Sequence, residues 1–220
     1  HKAIRRQRQM CIRDRNMRNW GYKNIDGAMA LIDSYGRLVY DLETLIAQGL
    51  SAAVYTQTTD VEGEVNGLIT YDRKVTKIPE GLLHLMHNRL YEITPAKAVT
   101  LIADGQNGSK NTRLVSLNGQ ELKMTSLPFD CPPRSTVVSE ATFKVDKDFN
   151  HLSLWLNVAG EAKVWLNGVE VFAQEAKQTR QYNQYNISDY SRYLRKGSNL
   201  LKIEVKDSKK MRFDYGLRAY

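Results

Sequence analysis

Cysteine is nearly absent. The 220 residues hold two, Cys11 and Cys131, which excludes a disulfide-built scaffold and a four-cysteine zinc site. Proline is sparse, and every proline except Pro79 lies beyond residue 94. No run approaches the roughly 18 apolar residues that a membrane-spanning helix requires. There is no phosphate loop, no glycine-rich dinucleotide fingerprint and no nucleophile elbow. What is present is a composition of 42% hydrophobic and 25% charged residues, which is that of a folded globular chain. The length suits one or two domains and is enough to bury a sizeable core.

The net charge of +8 invites a nucleic-acid reading, but it is unevenly placed. Residues 1–18 hold seven basic groups and one acid, Asp14, so they carry +6 and the remaining residues +2. The first eighteen residues have no apolar period and read as a non-native or disordered basic tail. Met10-Cys11-Ile12-Arg13-Asp14-Arg15 resembles a translated sequencing adapter, and a start at His1 without an initiator Met suggests a fragment. Excluding this segment from fold reasoning leaves Cys131 without an internal partner. A nucleic-acid arm rests on these residues alone, so neither nucleic acid nor a membrane is expected as a partner.

The body reads as two domains, 19–94 and 95–220, joined at Ile93-Thr94-Pro95-Ala96-Lys97. A helix is predicted from about Ile25 to Gln48, with Asp26 as its cap. Its apolar face comprises Ala28, Leu31, Ile32, Tyr35, Leu38, Val39, Leu42, Leu45 and Ile46. Gly49 stands where a left-handed C-terminal residue belongs. Leu50–Thr56 lacks polar alternation and reads as a buried parallel strand. A polar loop, Gln57 to Arg73, follows. A second helix starts near Pro79 and carries Leu82, Leu83, Leu85, Met86, Leu90 and Tyr91. This order is a piece of an α/β fold.

Beyond residue 95 strands are predicted at 98–103, 113–117, 120–124, 136–145, 151–158, 162–166, 169–173, 200–206 and 211–218. Asn118-Gly119 and Asn167-Gly168 suit two-residue hairpin turns, which need positive φ at both positions. Leu152, Leu154, Leu156 and Val158 alternate with Ser153, Trp155 and Asn157, the period of a strand. Strands at this density argue for an antiparallel sandwich.

The richest segment chemically is Tyr55 to Leu68. Asp60, Glu62 and Glu64 alternate, and in extended backbone they would share one face. Paired carboxylates serve acid/base work in glycosidases or bind Ca²⁺; a solvated acidic loop is the plain alternative. His84 and His87 read as surface or packing residues of the second helix. Trp155, Trp165, Phe172, Tyr182, Tyr185, Tyr190 and Tyr193 form an aromatic-rich zone whose rings could stack on sugars, although in a sandwich most aromatic rings serve the core.

Ala52–Lys74, AAVYTQTTDVEGEVNGLITYDRK, resembles the eighth barrel strand and following loop of glycoside hydrolase family 2, through Tyr55, Asp60, Asn66-Gly67-Leu68 and Asp72-Arg73. Asn19-Trp20-Gly21-Tyr22 with the long helix resembles the segment before that strand. Ala162–Gly168 and Tyr193–Asn199 resemble the jelly-roll, galactose-binding-like domains attached to such enzymes. The resemblance implies the last strand and flanking helices of a TIM barrel over 19–94, then an all-β jelly-roll sandwich. It implies the C-terminal portion of a retaining exo-β-glycosidase, β-galactosidase- or β-glucuronidase-like, acting on terminal β-linked sugars. The family's two catalytic glutamates would lie upstream, so no residue here is catalytic. Tyr55, Gln57, Asp60 and Asn66 would contribute to the substrate wall, and Asp72-Arg73 would form an internal ion pair. The implied partner is a β-linked oligo- or polysaccharide, with no cofactor and no metal. The implied location is the periplasm or outside the cell. The alternative is a non-catalytic carbohydrate-binding sandwich. One strand and two helices cannot close an eight-stranded barrel, so uncovered strand edges and helix faces are expected in the first domain.

Overall fold

The computed structural model describes residues 8–9, 23–25, 27–62, 64–105, 114–122, 127–176, 182–207 and 209–220. The chain divides into two units between Thr94 and Pro95. Of the basic tail, all but Arg8 and Gln9 lie outside the described residues. The backbone at those two pairs in parallel with Lys23–Asn24. Asp26, the expected helix cap, also lies outside them.

Residues 95–220 form a β-sandwich. Its strands are β1 (Val99–Ile102), β2 (Leu114–Leu117), β3 (Gln120–Leu122), β4 (Phe129–Cys131), β5 (Ser135–Val145), β6 (Leu152–Asn157), β7 (Glu161–Leu166), β8 (Val169–Gln174), β9 (Asn183–Asn186), β10 (Gly197–Asp207) and β11 (Met211–Ala219). One sheet runs β8-β7-β10-β5-β2-β3. The other runs β9-β6-β11-β1, with β4 on the first half of β11. Every pairing is antiparallel. The longest ladder joins β5 and β10 from Gly197↔Val145 to Asp207↔Ser135.

Alternation fixes which face is inside, because a one-residue slip would turn every side chain over. Leu201, Ile203 and Val205 of β10 are fully buried, whereas Leu200 between the strands' inward positions is 37% exposed. Leu152, Leu154 and Leu156 of β6 and Phe213, Tyr215 and Leu217 of β11 meet them in one core. Each such side chain contributes about 1.5–3 kcal/mol on burial. Ser139 of β5 is polar at an inward position. Its Oγ lies 2.9 Å from Tyr215 Oη on the facing sheet, so both hydroxyls are satisfied across the core. Both Asn-Gly pairs turn as their chemistry requires, with φ of 49° and 81° at Asn118 and Gly119 and 51° and 89° at Asn167 and Gly168. The two strands absent from the sequence reading, β4 and β9, are three and four residues long, too short to show a period.

Residues 25–94 hold α1 (Ala28–Ala47) and α2 (Glu80–Tyr91). Leu31, Tyr35 and Val39, one helical turn apart, are buried with Ile25 and Ile78; Leu83, Met86 and Leu90 of α2 pack on them. Gly27 precedes α1 with no side-chain cap. At the other end Gly49 takes φ 102°, Gly49 N–H bonds Ile46 O at 2.8 Å, and Leu50 N–H bonds Leu45 O at 2.9 Å. These are the paired bonds of a Schellman ending. Arg89 Nη2 lies 3.0 Å from the buried carboxylate of Glu43.

The predicted strand Leu50–Thr56 is corrected by the structure. It joins no ladder among the described residues, because this unit supplies no neighbouring strand. Leu50 is 38% and Val54 89% exposed. Leu82, Leu85 and Tyr91 of α2 and Met29 and Leu45 of α1 are exposed too. The apolar pattern is therefore real but only half covered.

Leu201→Ala is expected to cost about 2–5 kcal/mol, and Leu200→Ala no more than about 0.5 kcal/mol, in chemical denaturation followed by Trp fluorescence. Equal costs would contradict the inward and outward assignment.

Candidate functional site

Of the four residues singled out in the polar loop, Tyr55, Gln57 and Asn66 are hydrogen-bonded together, and Asp60 holds the neighbouring Gly67 and Lys77. Tyr55 Oη donates to Asn66 O at 3.0 Å. Gln57 Nε2 donates to Asn66 Oδ1 at 3.0 Å. Asp60 Oδ1 accepts from Gly67 N at 2.8 Å and from Lys77 Nζ at 2.6 Å. The loop is tied at its base by Asp60 N to Ile69 O, Leu68 N to Thr58 O and Lys77 N to Leu68 O.

Burial explains why Asp60 needs Lys77. Asp60 and Lys77 side chains are 6% and 4% exposed, and an unpaired charge at such depth is very costly. Lys77 Nζ spends a second proton on Val65 O at 2.9 Å, so the ammonium spans both sides of the loop. Gly67 is required by close approach: a Cβ there would stand 2.3 Å from Asp60 N. Asn66 is 2% exposed, and its Nδ2 is buried without a hydrogen-bond partner. A buried donor left unpaired costs about 1–3 kcal/mol.

The cluster rests on the helical core through Tyr35. The Tyr35 ring meets Tyr55 edge-on, with centroids 5.3 Å apart, and its hydroxyl lies 2.8 Å from His87 Nε2. Burial pushes the Tyr35 phenol above its ordinary pKa, so it stays protonated at neutral pH. His87 thus serves packing, while His84 stands 3.9 Å from Glu80 on the exposed face.

Two expectations are corrected. Asp60, Glu62 and Glu64 do not share an extended face. Val61 and Glu64 exchange backbone bonds of 3.0 and 2.8 Å across a tight turn with Glu62 at φ 48°, and of the three only Asp60 is buried. Among the described residues no group of acids, histidines or cysteines could hold a metal. Asp72 does not pair with Arg73 either. Its Oδ1 accepts from Thr70 Oγ1 at 2.7 Å and Lys74 N at 3.2 Å, closing a turn, and its Oδ2 lies 3.7 Å from Lys74 Nζ. Those bonds hold the Asp72 carboxyl below the ordinary range, the Thr70 bond foremost.

In the sandwich the seven rings of the aromatic zone are half-buried rather than interior. Several are already engaged. Arg218 lies 4.4 Å over Trp155 and pairs with Asp104 at 3.6 Å. Lys202 lies 5.6 Å over Trp165, and Phe172 packs on Tyr185 at 4.3 Å. Tyr182 Oη donates to buried Asp214. Lys77 and Tyr35 are the site residues the sequence reading missed. The signal available for Lys77 was indirect: a buried Asp demands a cation, and Lys77 is the one held in the loop's return.

No family model matches the chain, and no curated protein matches it. Among solved structures the chain is similar to an FMN-binding β-glucuronidase from Facaelibacterium prausnitzii L2-6, at 17% identity and TM-score 0.41 over 56% of this chain and 22% of that one. It is similar to a Ruminococcus gnavus β-glucuronidase at 10% identity and TM-score 0.40, over 56% of this chain and 28% of that one. A β-D-mannosidase from Dictyoglomus thermophilum follows at 12% and 0.37, over 51% and 16%. The chain spans less than a third of each. Likeness of this degree carries no functional conclusion by itself.

Lys77→Met is expected to destabilise residues 25–94 by about 3–5 kcal/mol, because it leaves Asp60 buried and unpaired, whereas Asp60→Asn with Lys77→Met recovers most of that loss. Hydrogen exchange at residues 58–78 reads both. A double variant no better than the single one would show that the pair is not what holds the loop.

Proposed function

We propose that this chain is the C-terminal portion of a retaining exo-β-glycosidase related to glycoside hydrolase family 2. The observation that carries the reading is an apolar run, Leu50–Val54, exposed and without a ladder among the described residues, that leads directly into the hydrogen-bonded loop carrying Tyr55, Gln57, Asp60 and Asn66. A buried barrel strand with a functional loop after its C-terminal end has this order. In this reading residues 19–94 are the last strand and flanking helices of the barrel. The exposed apolar side chains of α1 and α2 are the surfaces that the rest of the barrel covers. The sandwich is a galactose-binding-like jelly roll. The longer enzyme acts in the periplasm or outside the cell.

The chemistry assigns roles without a catalytic residue in this chain. A retaining glycosidase uses two carboxyl groups about 5–5.5 Å apart, one as nucleophile and one as acid and then base. Asp60 is unsuited to either role, since its Oδ1 is committed to Lys77 and Gly67. Asp60 and Lys77 instead hold the loop in place. Tyr55 offers its ring face to a sugar, with its hydroxyl tied to Asn66 O. Asn66 Nδ2, unpaired at present, is the donor that a sugar hydroxyl or a loop of the remaining barrel would satisfy. Gln57 fixes the orientation of that amide through Asn66 Oδ1.

The expected outcome is no turnover of aryl β-glycosides by the 220-residue chain, and turnover once the polypeptide encoded upstream at the same locus is joined to it. With that enzyme, Asn66→Ala lowers kcat/KM by about tenfold or more, consistent with one lost hydrogen bond to substrate. Hydrolysis by the 220-residue chain alone, or an upstream segment lacking two barrel glutamates, would refute the assignment.

A further inference from the structure

We propose that the sandwich carries a pocket for the sulfate or carboxylate groups of an acidic polysaccharide. Beyond β5 the surface dips into a cavity of about 260 Å³. Lys147, Asp148 and Phe149 contribute one wall; Arg192, Arg195 and Lys196, which follow one another around the 3₁₀ turn Ser188–Tyr193 and the start of β10, contribute the other. Four cations thus face one acid. Asp146 and Asp189 lie close in sequence but do not line the cavity. The one lining acid, Asp148, is already partnered, its Oδ2 3.4 Å from Lys196 Nζ.

The remaining cations are poised rather than paired. Lys147 Nζ lies 5.1 Å over the Phe149 ring, and the Arg192 guanidinium lies 5.1 Å over Tyr193. These contacts hold each head group without neutralising it. The Arg195 side chain has no ion-pair or hydrogen-bond partner among the described residues. Its guanidinium is therefore a free planar fork, the shape that binds carboxylate or sulfate through two parallel bonds.

The segment that carries Arg195 and Lys196 is fixed in advance. Asn199 is 2% exposed, and every bond of its amide serves this turn or its neighbour. Its Oδ1 accepts from Arg195 N and Asn167 Nδ2, both at 2.8 Å. Its Nδ2 donates to Arg195 O at 2.7 Å and Gly197 O at 3.1 Å. A backbone held this way spares part of the ordering cost of binding. The cavity is much larger than the roughly 30 Å³ of one water and just below the ~300 Å³ at which small-molecule pockets begin. That size takes one charged sugar residue, its ring against the lining side chains of Phe149 and Leu194 and its anion among the cations. Exposed charge pairs are individually weak and screened by salt, so the pocket works by convergence, and a polymer with repeated anions gains from it most.

The anion site stands on this geometry. Its assignment to a polysaccharide rests on the glycosidase reading above. The test is calorimetric titration of the full chain at low salt with chondroitin sulfate oligosaccharide, polygalacturonate oligosaccharide, neutral dextran oligosaccharide and sodium sulfate. Lys147→Glu with Arg195→Glu is expected to weaken binding of at least one acidic oligosaccharide about tenfold, the equivalent of about 1.4 kcal/mol. Lys209→Glu with Lys210→Glu changes the net charge equally at exposed positions outside the cavity, and is expected to weaken it less than about twofold. Which oligosaccharide binds separates sulfate from carboxylate. Equal losses in the two variants, or no binding of either acidic oligosaccharide, would overturn the site. Sodium sulfate competing as well as the oligosaccharide at equal anion concentration would overturn the polysaccharide assignment. Binding is read without turnover, so failure here is distinct from failure of the glycosidase reading.

Discussion

A β-strand needs at least one hydrogen-bonded neighbour and cover on its apolar faces. The two units of this chain meet that demand to different degrees. In residues 95–220, β10 is paired with β5 over its whole length and with β7 from Leu201 to Lys206. Its inward side chains close against those of β6 and β11. In residues 25–94 the apolar run Leu50–Val54 joins no ladder among the described residues, and Val54 stands almost wholly exposed. The sandwich pairs its strands and closes one core among the described residues; the first unit leaves an apolar run and apolar helix residues exposed.

The loop after that run is nonetheless well built. Its polarity is resolved inward, through the buried Asp60–Lys77 pair and the amide of Asn66. Its position is set by the helices, through His87, Tyr35 and Tyr55 in succession. In the proposed reading this loop, held beside an uncovered strand-like segment, is a wall of the larger enzyme's site. Asn66 Nδ2 is buried there without a hydrogen-bond partner, and in the proposed reading it is the donor that the larger site completes.

Much of this was legible from residue patterns, and the failures have physical causes. The period-2 alternation from Leu152 to Val158 and the Asn-Gly pairs located hairpins, because both depend only on local backbone geometry. Gly49 located the end of α1 for the same reason. The run Leu50–Thr56 was legible as strand-like, but a ladder is a relation between segments, and its absence could not be read from one of them. The three alternating carboxylates misled because alternation implies a shared face only in extended backbone, and Glu62 turns instead. Lys77 was invisible because nothing in its own surroundings marks it; its role follows from the burial of Asp60, seventeen residues earlier. The cations at Lys147 and Arg195 are far apart in sequence, and only the fold brings them to one cavity.

Hydrogen exchange on the intact chain tests the central claim most directly. The amides of β5 and β10 are expected to be strongly protected, and those of residues 51–56 to exchange nearly as fast as unstructured peptide. Protection at residues 51–56 equal to that at Leu201 and Ile203 would contradict the account. It would show that the first unit already pairs this segment.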